Sequence, residues 1–156
     1  MAQQSIVGFN DGPETVRMTK WRPSVSVVYP MFNEEENIER AVHFAEAVLT
    51  DITSDYEILI VNDASTDRSA EIAEALAGSN PCVKVFHHER NLKLGGALRT
   101  GFSKATNELV FYCDSDLPVD LTELNRATSD GKSVLFATGA QGSRAAAVDS
   151  ARYLCF

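Results

Sequence analysis

The chain has 156 residues, of which 44% are hydrophobic and 23% are charged, a composition typical of one globular domain. Its formal net charge of -8 would repel a phosphate backbone, and no stretch concentrates lysine or arginine, which argues against nucleic acid as a partner. No run approaches the length of about 20 apolar residues that spans a membrane, and no export signal opens the chain, so we expect a cytoplasmic protein.

The cysteines do not form a recognisable metal or redox motif. They are three in number and lie far apart, at Cys82, Cys113 and Cys155, which fits a reducing compartment. Cys113 lies within an apolar run, and we expect it to be a small buried side chain rather than a reactive thiol. We assign structural or surface roles to the three histidines, which are His43, His87 and His88.

The periodic part of the chain begins after a polar, aperiodic stretch, residues 1–22, which we predict to be a loose extension. The apolar run from Val25 to Tyr29, followed by Pro30, predicts a first strand buried in a parallel sheet. A helix should begin at Asn33, a candidate N-cap with Glu36 three residues later in a capping-box pattern. Its apolar face should consist of Ile38, Ala41, Val42, Ala45, Val48 and Leu49.

The same strand-turn-helix unit recurs along the chain. A second strand is predicted from Glu57 to Val61, followed by a polar turn, Asn62 to Thr66, and a helix that ends at Gly78. A third strand is predicted from Val83 to His87, and a fourth from Leu109 to Cys113. The helix between them should present an apolar face of Leu94, Ala97, Leu98, Gly101, Phe102 and Ala105. This alternation predicts an α/β fold with three α/β/α layers around a mostly parallel sheet.

The pattern weakens beyond Leu124, where only the stretch from Val134 to Ala137 resembles a strand. We expect residues 127–156 to form an irregular or divergent tail, and the chain to be a truncated or frame-shifted form of a longer protein.

Two aspartates follow the fourth predicted strand, in the sequence Asp114-Ser115-Asp116. Carboxylates two residues apart at a strand end can turn toward one cation, while Ser115 faces elsewhere. Mg²⁺ and Mn²⁺ bind through one or two carboxylates together with the oxygens of a substrate diphosphate, which fits this set. An Asp-x-Asp triplet is also typical of a solvated loop, but its position after three strand-helix units favours a metal site.

Other candidate residues each allow two interpretations. Asp63 could accept hydrogen bonds from a base or ribose, or cap the turn or the following helix, whereas Asp67 fits a cap or first-turn acid. Phe32 offers either a flat apolar surface to a ligand or an ordinary core side chain. Gly95 and Gly96 permit either a close backbone approach to a ligand or a tight start of a helix.

Four segments together resemble the family-2 glycosyltransferases of the GT-A fold, and among them the polyprenyl- and dolichyl-phosphate sugar synthases. The segments are Val27 to Glu35, Glu57 to Asp67, Arg90-Asn91 with Leu94 to Gly101, and Asp114 to Leu117. Their order, and the elements on which they fall, match the family over about residues 24–125. A sugar nucleotidyltransferase is disfavoured because the glycine-rich, basic loop expected after the first strand is absent.

The resemblance implies a nucleotide-sugar-binding domain of the GT-A type over residues 23–126. The implied nucleotide pocket is lined by Pro30, Phe32, Glu34, Val61 and Asp63, with Ala97 near it. Asp114 and Asp116 would hold Mg²⁺ or Mn²⁺ on the donor diphosphate, and Ser115 would lie on the ribose side.

The reaction implied by the resemblance is the inverting transfer of a hexose from a UDP- or GDP-linked sugar. The acceptor would be a polyprenyl phosphate or similar compound, reached at the cytoplasmic face of a membrane by a full-length form.

The sequence departs from the family pattern in three respects. Lys93 stands where related sequences often have glycine, and Pro118 where dolichyl-phosphate mannose synthases have a glutamine near the metal. The catalytic base of the family lies far beyond the metal motif, whereas only 40 residues (156 minus 116) follow Asp116 and none of them matches it. The alternative function is therefore a catalytically incomplete nucleotide-binding fragment or an interaction module.

Overall fold

The computed structural model describes residues 22–115 and 153–155. Within these ranges the chain alternates strands and helices, and it closes with a further strand. The elements in chain order are β1 (Val25–Met31), α1 (Ile38–Ile52), β2 (Tyr56–Asn62), α2 (Ser69–Ser79), β3 (Val83–His87), α3 (Lys93–Lys104), β4 (Leu109–Tyr112) and β5 (Tyr153–Cys155). None of the helices in this part of the chain is long and apolar enough to span a membrane.

All five strands form one parallel sheet in the order β3-β2-β1-β4-β5. Val27 of β1 is in register with Ile58 of β2 on one side and with Phe111 of β4 on the other. The strand order therefore proceeds from β1 toward β3 in one direction and then resumes with β4 on the opposite side. Such a reversal opens a crevice at the carboxyl ends of the two strands, here β1 and β4, where ligands of α/β sheets bind.

The larger part of the core lies on the face of the sheet that α1 and α2 cover. Alternate side chains of β1 and β2 point to this face, as the period of two in a strand requires. The helices contribute an apolar stripe, the one predicted for α1 included. The fully buried members of this core include Val25, Val27, Tyr29, Met31, Ile38, Val42, Ala45, Leu49, Ile58, Ile60, Ala73 and Phe111.

The opposite face of the sheet packs against α3, which confirms the three-layer architecture. This smaller core consists of Val28, Leu59, Val61, Ala97 and Val110. The contact is close, because a Cβ atom built on Gly101 would lie 2.2 Å from Cγ1 of Val28. The apolar face predicted for α3 is thus only partly buried, and Leu94, at its start, is 52% exposed.

The predicted start of α1 was wrong. Asn33 has a φ of 58° and precedes the helix, which begins at Ile38. Its side-chain oxygen accepts a hydrogen bond from Thr66 N at 2.8 Å, so it caps the neighbouring turn rather than its own helix. Glu36 is exposed in the turn between Asn33 and the start of α1. A tertiary contact has replaced the local capping box.

Two other boundaries differ from the prediction. Pro30 lies inside β1, opposite Val61, and not at its end. Its position has no N–H to offer on the β4 side, but β1 pairs with β4 only as far as Val28, so no ladder bond is lost. Helix α2 continues through Gly78 and ends before Asn80, whose extended backbone is the conformation that the following Pro81 favours.

The carboxyl-terminal part of the chain contributes one described element. Strand β5, Tyr153–Cys155, pairs in parallel with β4, from Val110 to Tyr112. The sequence pattern assigned no element to it. The weak strand predicted from Val134 to Ala137 and the extension predicted over residues 1–22, except for Arg22, lie outside the described residues.

A buried carboxylate joins several elements at the amino edge of the sheet. Glu57 is 4% exposed and accepts hydrogen bonds from Ser26 Oγ at 2.6 Å, Lys84 Nζ at 2.6 Å and Thr106 N at 2.7 Å. Burial alone would raise the pKa of Glu57, but these donors together outweigh it and lower the pKa to about 2. The ionised carboxylate therefore ties β1 and β3 to β2 and to the residues before β4.

The close contact of α3 with β1 predicts that Gly101→Ala will lower the free energy of unfolding by about 1–3 kcal/mol, since the added methyl group overlaps Val28. The matched control is Gly95→Ala in the same helix, where nothing lies within 4 Å of the added Cβ. We expect this control to be neutral or to stabilise by up to about 1 kcal/mol, because alanine favours helix more than glycine does. Urea unfolding followed by circular dichroism measures both, and equal effects of the two changes would contradict the packing argument.

The Glu57 hydrogen bonds predict a stability that depends on acid. Because the pKa of Glu57 falls from 4.5 to about 2 on folding, its contribution is complete above pH 4.5 and is lost as the pH falls toward 2. We expect Glu57→Gln to lower the free energy of unfolding by on the order of 3 kcal/mol at neutral pH. The difference from the unmodified chain should shrink as the pH falls across this window. Denaturant unfolding at several pH values checks this, with Glu36→Gln at an exposed position as control. A difference independent of pH would show that the carboxylate charge is not responsible.

Candidate functional site

A small open cavity lies in the crevice between the ends of β1 and β4. Its volume is about 160 Å³. The residues that line it come from the ends of β1, β2 and β4 and from the first turns of α3. They are Pro30, Met31, Phe32, Glu34, Asp63, Leu94, Ala97 and Asp114. Six of the nine predicted site residues are in this set, so the structure brings most of them together.

The other three predicted residues have different positions. The side chain of Val61 is fully buried under α3 and does not line the cavity. Ser115 is 5% exposed, and within the described part of the chain its Oγ has no hydrogen-bond partner. Asp116 lies outside the described residues. Buried hydroxyl groups are nearly always paired, so the unpaired Oγ of Ser115 beside Asp114 is consistent with a group that receives a ligand.

The structure distinguishes between the two interpretations of Phe32. Its side chain is 46% exposed and forms part of the cavity wall, and it does not belong to either core cluster. Leu94 also lines the cavity and is 52% exposed. Together these two side chains give the cavity apolar surface that is open to solvent.

Asp63 holds the start of α3. Its Oδ1 accepts hydrogen bonds from Leu92 N at 2.7 Å and from the ring nitrogen Nδ1 of His88 at 2.7 Å. Asp63 therefore caps the start of α3, whereas the sequence suggested that it would cap its own turn or the helix that follows it, α2. Burial raises the pKa of Asp63, but the bonds from His88, Leu92 N and Lys93 N prevail and lower it, so the side chain is an ionised acceptor.

His88 is a residue of the site region that sequence reasoning missed. It follows β3, its side chain is 10% exposed, and it contacts the buried Asp63. Its neighbour His87 is 41% exposed and bonds to Glu74 on the other side of the sheet. The sequence did place His88 directly after the third predicted strand. The carboxyl end of that strand lies beside the end of β2, which Asp63 follows.

The turns after β1 and β2 support each other. Asn33 N donates to Ser65 Oγ at 3.0 Å, and Glu35 N donates to Asp67 Oδ2 at 3.3 Å. Oδ1 of Asp67 accepts from Ser69 N at 3.0 Å, which confirms its predicted role at the start of α2. Side chains near the cavity therefore stand on turns that are cross-linked by hydrogen bonds rather than on free loops.

The glycines at the start of α3 fit a tight helix start better than a ligand contact. Neither lines the cavity. A Cβ atom on Gly96 would lie 2.3 Å from Cβ of Leu92, which explains the need for glycine there, whereas Gly95 faces open space. Two amide groups that open the helix, Leu92 N and Lys93 N, already donate to Asp63 and Asn91.

Cys113, next to Asp114, is the inert side chain that was predicted. It is 2% exposed, and burial raises the pKa of its thiol to about 12, so the reactive thiolate is absent at neutral pH. Its amide donates to Val28 O at 3.1 Å, which continues the β1–β4 ladder by one step and places Asp114 at the edge of the crevice.

The family of the chain follows from comparison with known proteins. Residues 26–127 match the family model described as Glycosyl transferase family 2, which is more than half of the chain. The chain belongs to glycosyltransferase family 2.

Relatives of this family-2 chain share about a third of its aligned residues. It is 32% identical over 115 residues to the undecaprenyl-phosphate 4-deoxy-4-formamido-L-arabinose transferase of Serratia proteamaculans (strain 568), covering 71% of the chain and 35% of the relative. It is 33% identical over 102 residues to glycosyltransferase AglD of Haloferax volcanii, covering 64% and 16% respectively. The chain thus spans about a third or less of the length of these relatives.

Solved structures confirm the GT-A fold of this family-2 glycosyltransferase chain. The mannosyltransferase PcManGT of Pyrobaculum calidifontis, in complex with GDP-Man and Mn2+, has a TM-score of 0.64 and 26% identity, over 74% of this chain and 34% of that one. TarS 1-349 of S. aureus, in complex with UDP-GlcNAc, has a TM-score of 0.58 and 23% identity, over 78% and 37%. The second likeness supports the fold alone.

The cavity of the family-2 chain is strongly acidic. Three carboxylate side chains line it, those of Glu34, Asp63 and Asp114, and among the described residues no lysine, arginine or histidine belongs to the lining. Within residues 22–115 and 153–155, no group of three or more His, Cys, Asp and Glu side chains is placed to hold a metal ion by itself. Asp114 supplies hard carboxylate oxygen atoms of the kind that Mg²⁺ and Mn²⁺ accept. The residues present therefore fit a divalent ion that is completed by ligand oxygens.

The backbone at Lys93 predicts that glycine is tolerated there. Lys93 has a φ of 64°, a conformation that costs an ordinary residue about 1–2 kcal/mol but costs glycine nothing. We expect Lys93→Gly to leave stability unchanged or to raise it by up to about 1 kcal/mol, because relief of strain outweighs the extra freedom of the unfolded chain.

The matched control for this change is Arg99→Gly, which removes another exposed basic side chain from the same helix at a residue without positive φ. We expect the control to lower the free energy of unfolding by about 1 kcal/mol, because glycine disfavours a helix. Thermal unfolding of both variants gives the comparison, and equal losses would mean that Lys93 carries no backbone strain.

Proposed function

We propose that this chain binds a nucleotide-diphosphate sugar through a divalent metal, as the donor domain of an inverting hexosyltransferase. The observation that supports the proposal is the acidic cavity at the β1–β4 crevice, with its carboxylates from Glu34, Asp63 and Asp114. A diphosphate would be repelled by three carboxylates without a cation between them. We therefore expect a donor of this kind to bind together with a metal ion.

The lining residues suggest a division of roles. Asp114, with Asp116, would hold Mg²⁺ or Mn²⁺, and Ser115 would face the ribose. Asp63 would accept a hydrogen bond from the base or ribose, because its ionised carboxylate can accept further bonds beside the two on Oδ1. Phe32 would offer its exposed ring to the nucleoside.

The bound metal would supply neutralisation of the charge that develops on the leaving diphosphate. The chain would contribute the fixed position of Asp114, held by the ladder bond from Cys113 N to Val28 O at 3.1 Å. The cavity, at about 160 Å³, is smaller than the 300 Å³ or so at which ligand pockets begin, so it would contact only part of the donor.

For the acceptor we propose a polyprenyl phosphate or a related compound. The support is the similarity to the Serratia transferase, whose name specifies undecaprenyl phosphate. Such an acceptor would place the working protein at a membrane surface, and we propose the cytoplasmic face. UDP- and GDP-linked sugars are both candidate donors, since the structural neighbours were solved with GDP-Man and UDP-GlcNAc.

The second candidate is a donor-binding module that does not complete transfer. It is favoured by one observation, that the chain spans about a third or less of the length of the relatives described above. A transfer assay with polyprenyl phosphate and the 156-residue chain separates the two. Product would support the first candidate, whereas metal-dependent binding without product would support the second.

The proposal predicts that nucleotide binding requires both the metal and Asp114. Isothermal titration of the chain with UDP- and GDP-sugars should show binding in the presence of Mn²⁺. We expect the affinity to fall about tenfold or more when Mn²⁺ is left out, and also in Asp114→Asn, which removes a charged metal ligand. The control is Asp55→Asn, which makes the same charge change at an exposed residue of the opposite sheet edge. Absence of binding under every condition, or equal binding with and without metal, would contradict the proposal.

A further inference from the structure

His88 connects three elements close to the cavity. Its ring lies between Asp63, which follows β2, and Thr100 in the second turn of α3. Nδ1 lies 2.7 Å from Asp63 Oδ1, and Nε2 lies 2.8 Å from Thr100 Oγ1. The side chain is 10% exposed, so solvent offers few competing partners. The ring is therefore held at both nitrogen atoms.

The direction of one of these hydrogen bonds follows from charge. The pKa of Asp63 is lowered, so its carboxylate is ionised at neutral pH and can only accept. Nδ1 of His88 must then carry the proton that it shares with Oδ1. The hydroxyl of Thr100 can donate or accept, so it satisfies Nε2 whether or not the ring is charged.

This arrangement fixes the orientation of the Asp63 carboxylate. Leu92 N and His88 Nδ1, both in the connection between β3 and α3, donate to the same oxygen, Oδ1. Together they fix the plane of the carboxylate, because tilting it would weaken both bonds. Because the Asp63 side chain lines the cavity, its remaining acceptor sites have a defined direction relative to a bound ligand.

We infer that His88 is a positioning residue of the donor site, which holds Asp63 so that its carboxylate accepts a hydrogen bond from the donor nucleoside. The inference rests on the proposed function, because it assigns to Asp63 a ligand that the proposed function supplies. His88 itself is not among the lining residues, so it acts through Asp63 and not by contact with the nucleotide.

The adjacent histidine offers an internal comparison. Nδ1 of His87 lies 2.9 Å from Asn62 Nδ2, and Nε2 lies 2.7 Å from Glu74 Oε1. His87 is therefore also bonded at both nitrogens and also links a residue at the end of β2 to a helix. Its helix is α2, on the other face of the sheet, and none of these three residues lines the cavity. A loss that is specific to His88 cannot be ascribed to the general effect of removing a bridging histidine.

Amide side chains separate the two bonds of His88. In His88→Asn the amide can replace the Nδ1 donor to Asp63, while in His88→Gln it reaches the Nε2 position and leaves Asp63 without that donor. Thr100→Val removes the partner of Nε2 alone. His87→Gln is the control on the opposite face. Each variant of the 156-residue chain is titrated with UDP- and GDP-sugars in the presence of Mn²⁺, and its unfolding temperature is recorded.

We expect His88→Gln to weaken nucleotide binding by about tenfold or more, since a hydrogen bond to a charged group is lost. His88→Asn should recover most of the affinity, and Thr100→Val and His87→Gln should stay within about threefold of the unmodified chain. Affinity that follows unfolding temperature alone, with His88→Asn as weak as His88→Gln, would overturn the inference and leave a structural role.

A second measurement tests the contact without any nucleotide. Carbon-13 NMR titration of the Asp63 carboxyl should show a higher pKa in His88→Gln than in the unmodified chain, and no change in His87→Gln. An unchanged pKa in His88→Gln would overturn the inference. If the unmodified chain binds no nucleotide, the proposed function fails and the inference with it. If that chain binds nucleotide and His88→Gln binds equally well, only the inference fails.

Discussion

The pairing of β1 with β2 on one edge and with β4 on the other is the constraint on which the rest of the structure depends. The side chains of β1 alternate between the two faces of the sheet, and helices cover both faces. Val27 therefore lies in one core and Val28 in the other. The reversal of strand order at β1 then creates the crevice without any special loop. Chemistry-bearing residues need only follow the strands to meet there, as Glu34, Asp63 and Asp114 do.

The carboxylates that line the cavity are an electrostatic cost to the fold. Three carboxylates in one small space repel each other, and at Asp63 this repulsion is offset by the hydrogen bonds from His88 Nδ1 and Leu92 N. At the amino edge of the sheet the buried Glu57 has the opposite character, since it is surrounded by donors that include Lys84. Glu57, at the amino ends of the strands, therefore has a lysine partner, whereas the described residues that line the crevice include three carboxylates and no basic side chain, which suits a cation.

The sequence was sufficient for the elements that a hydrophobic run or period defines. Val83 to His87 was predicted to the residue, and β1, β2, β4 and the apolar face of α1 followed from the same pattern, whereas β5 did not. The set of site residues came from the family resemblance, and most of them lie together at the cavity. Errors occurred where a side chain is used by a distant partner. Asn33 matches a local cap but bonds to Thr66, and His88 resembles a surface residue until Asp63 is beside it. Such contacts span 25 or more positions, and a local pattern contains no information about them.

Pro30 has a consequence for the depth of the crevice. In a parallel sheet, β4 could extend alongside β1 beyond Val28 if the next residue of β1 whose backbone is directed toward β4 had an N–H to donate. That residue is Pro30. Pro30 has no N–H to donate to β4, and the pairing of the two strands ends just before it, with the bond from Cys113 N to Val28 O. The floor of the crevice therefore lies where the backbone of β1 lacks a donor, and the cavity begins at that point.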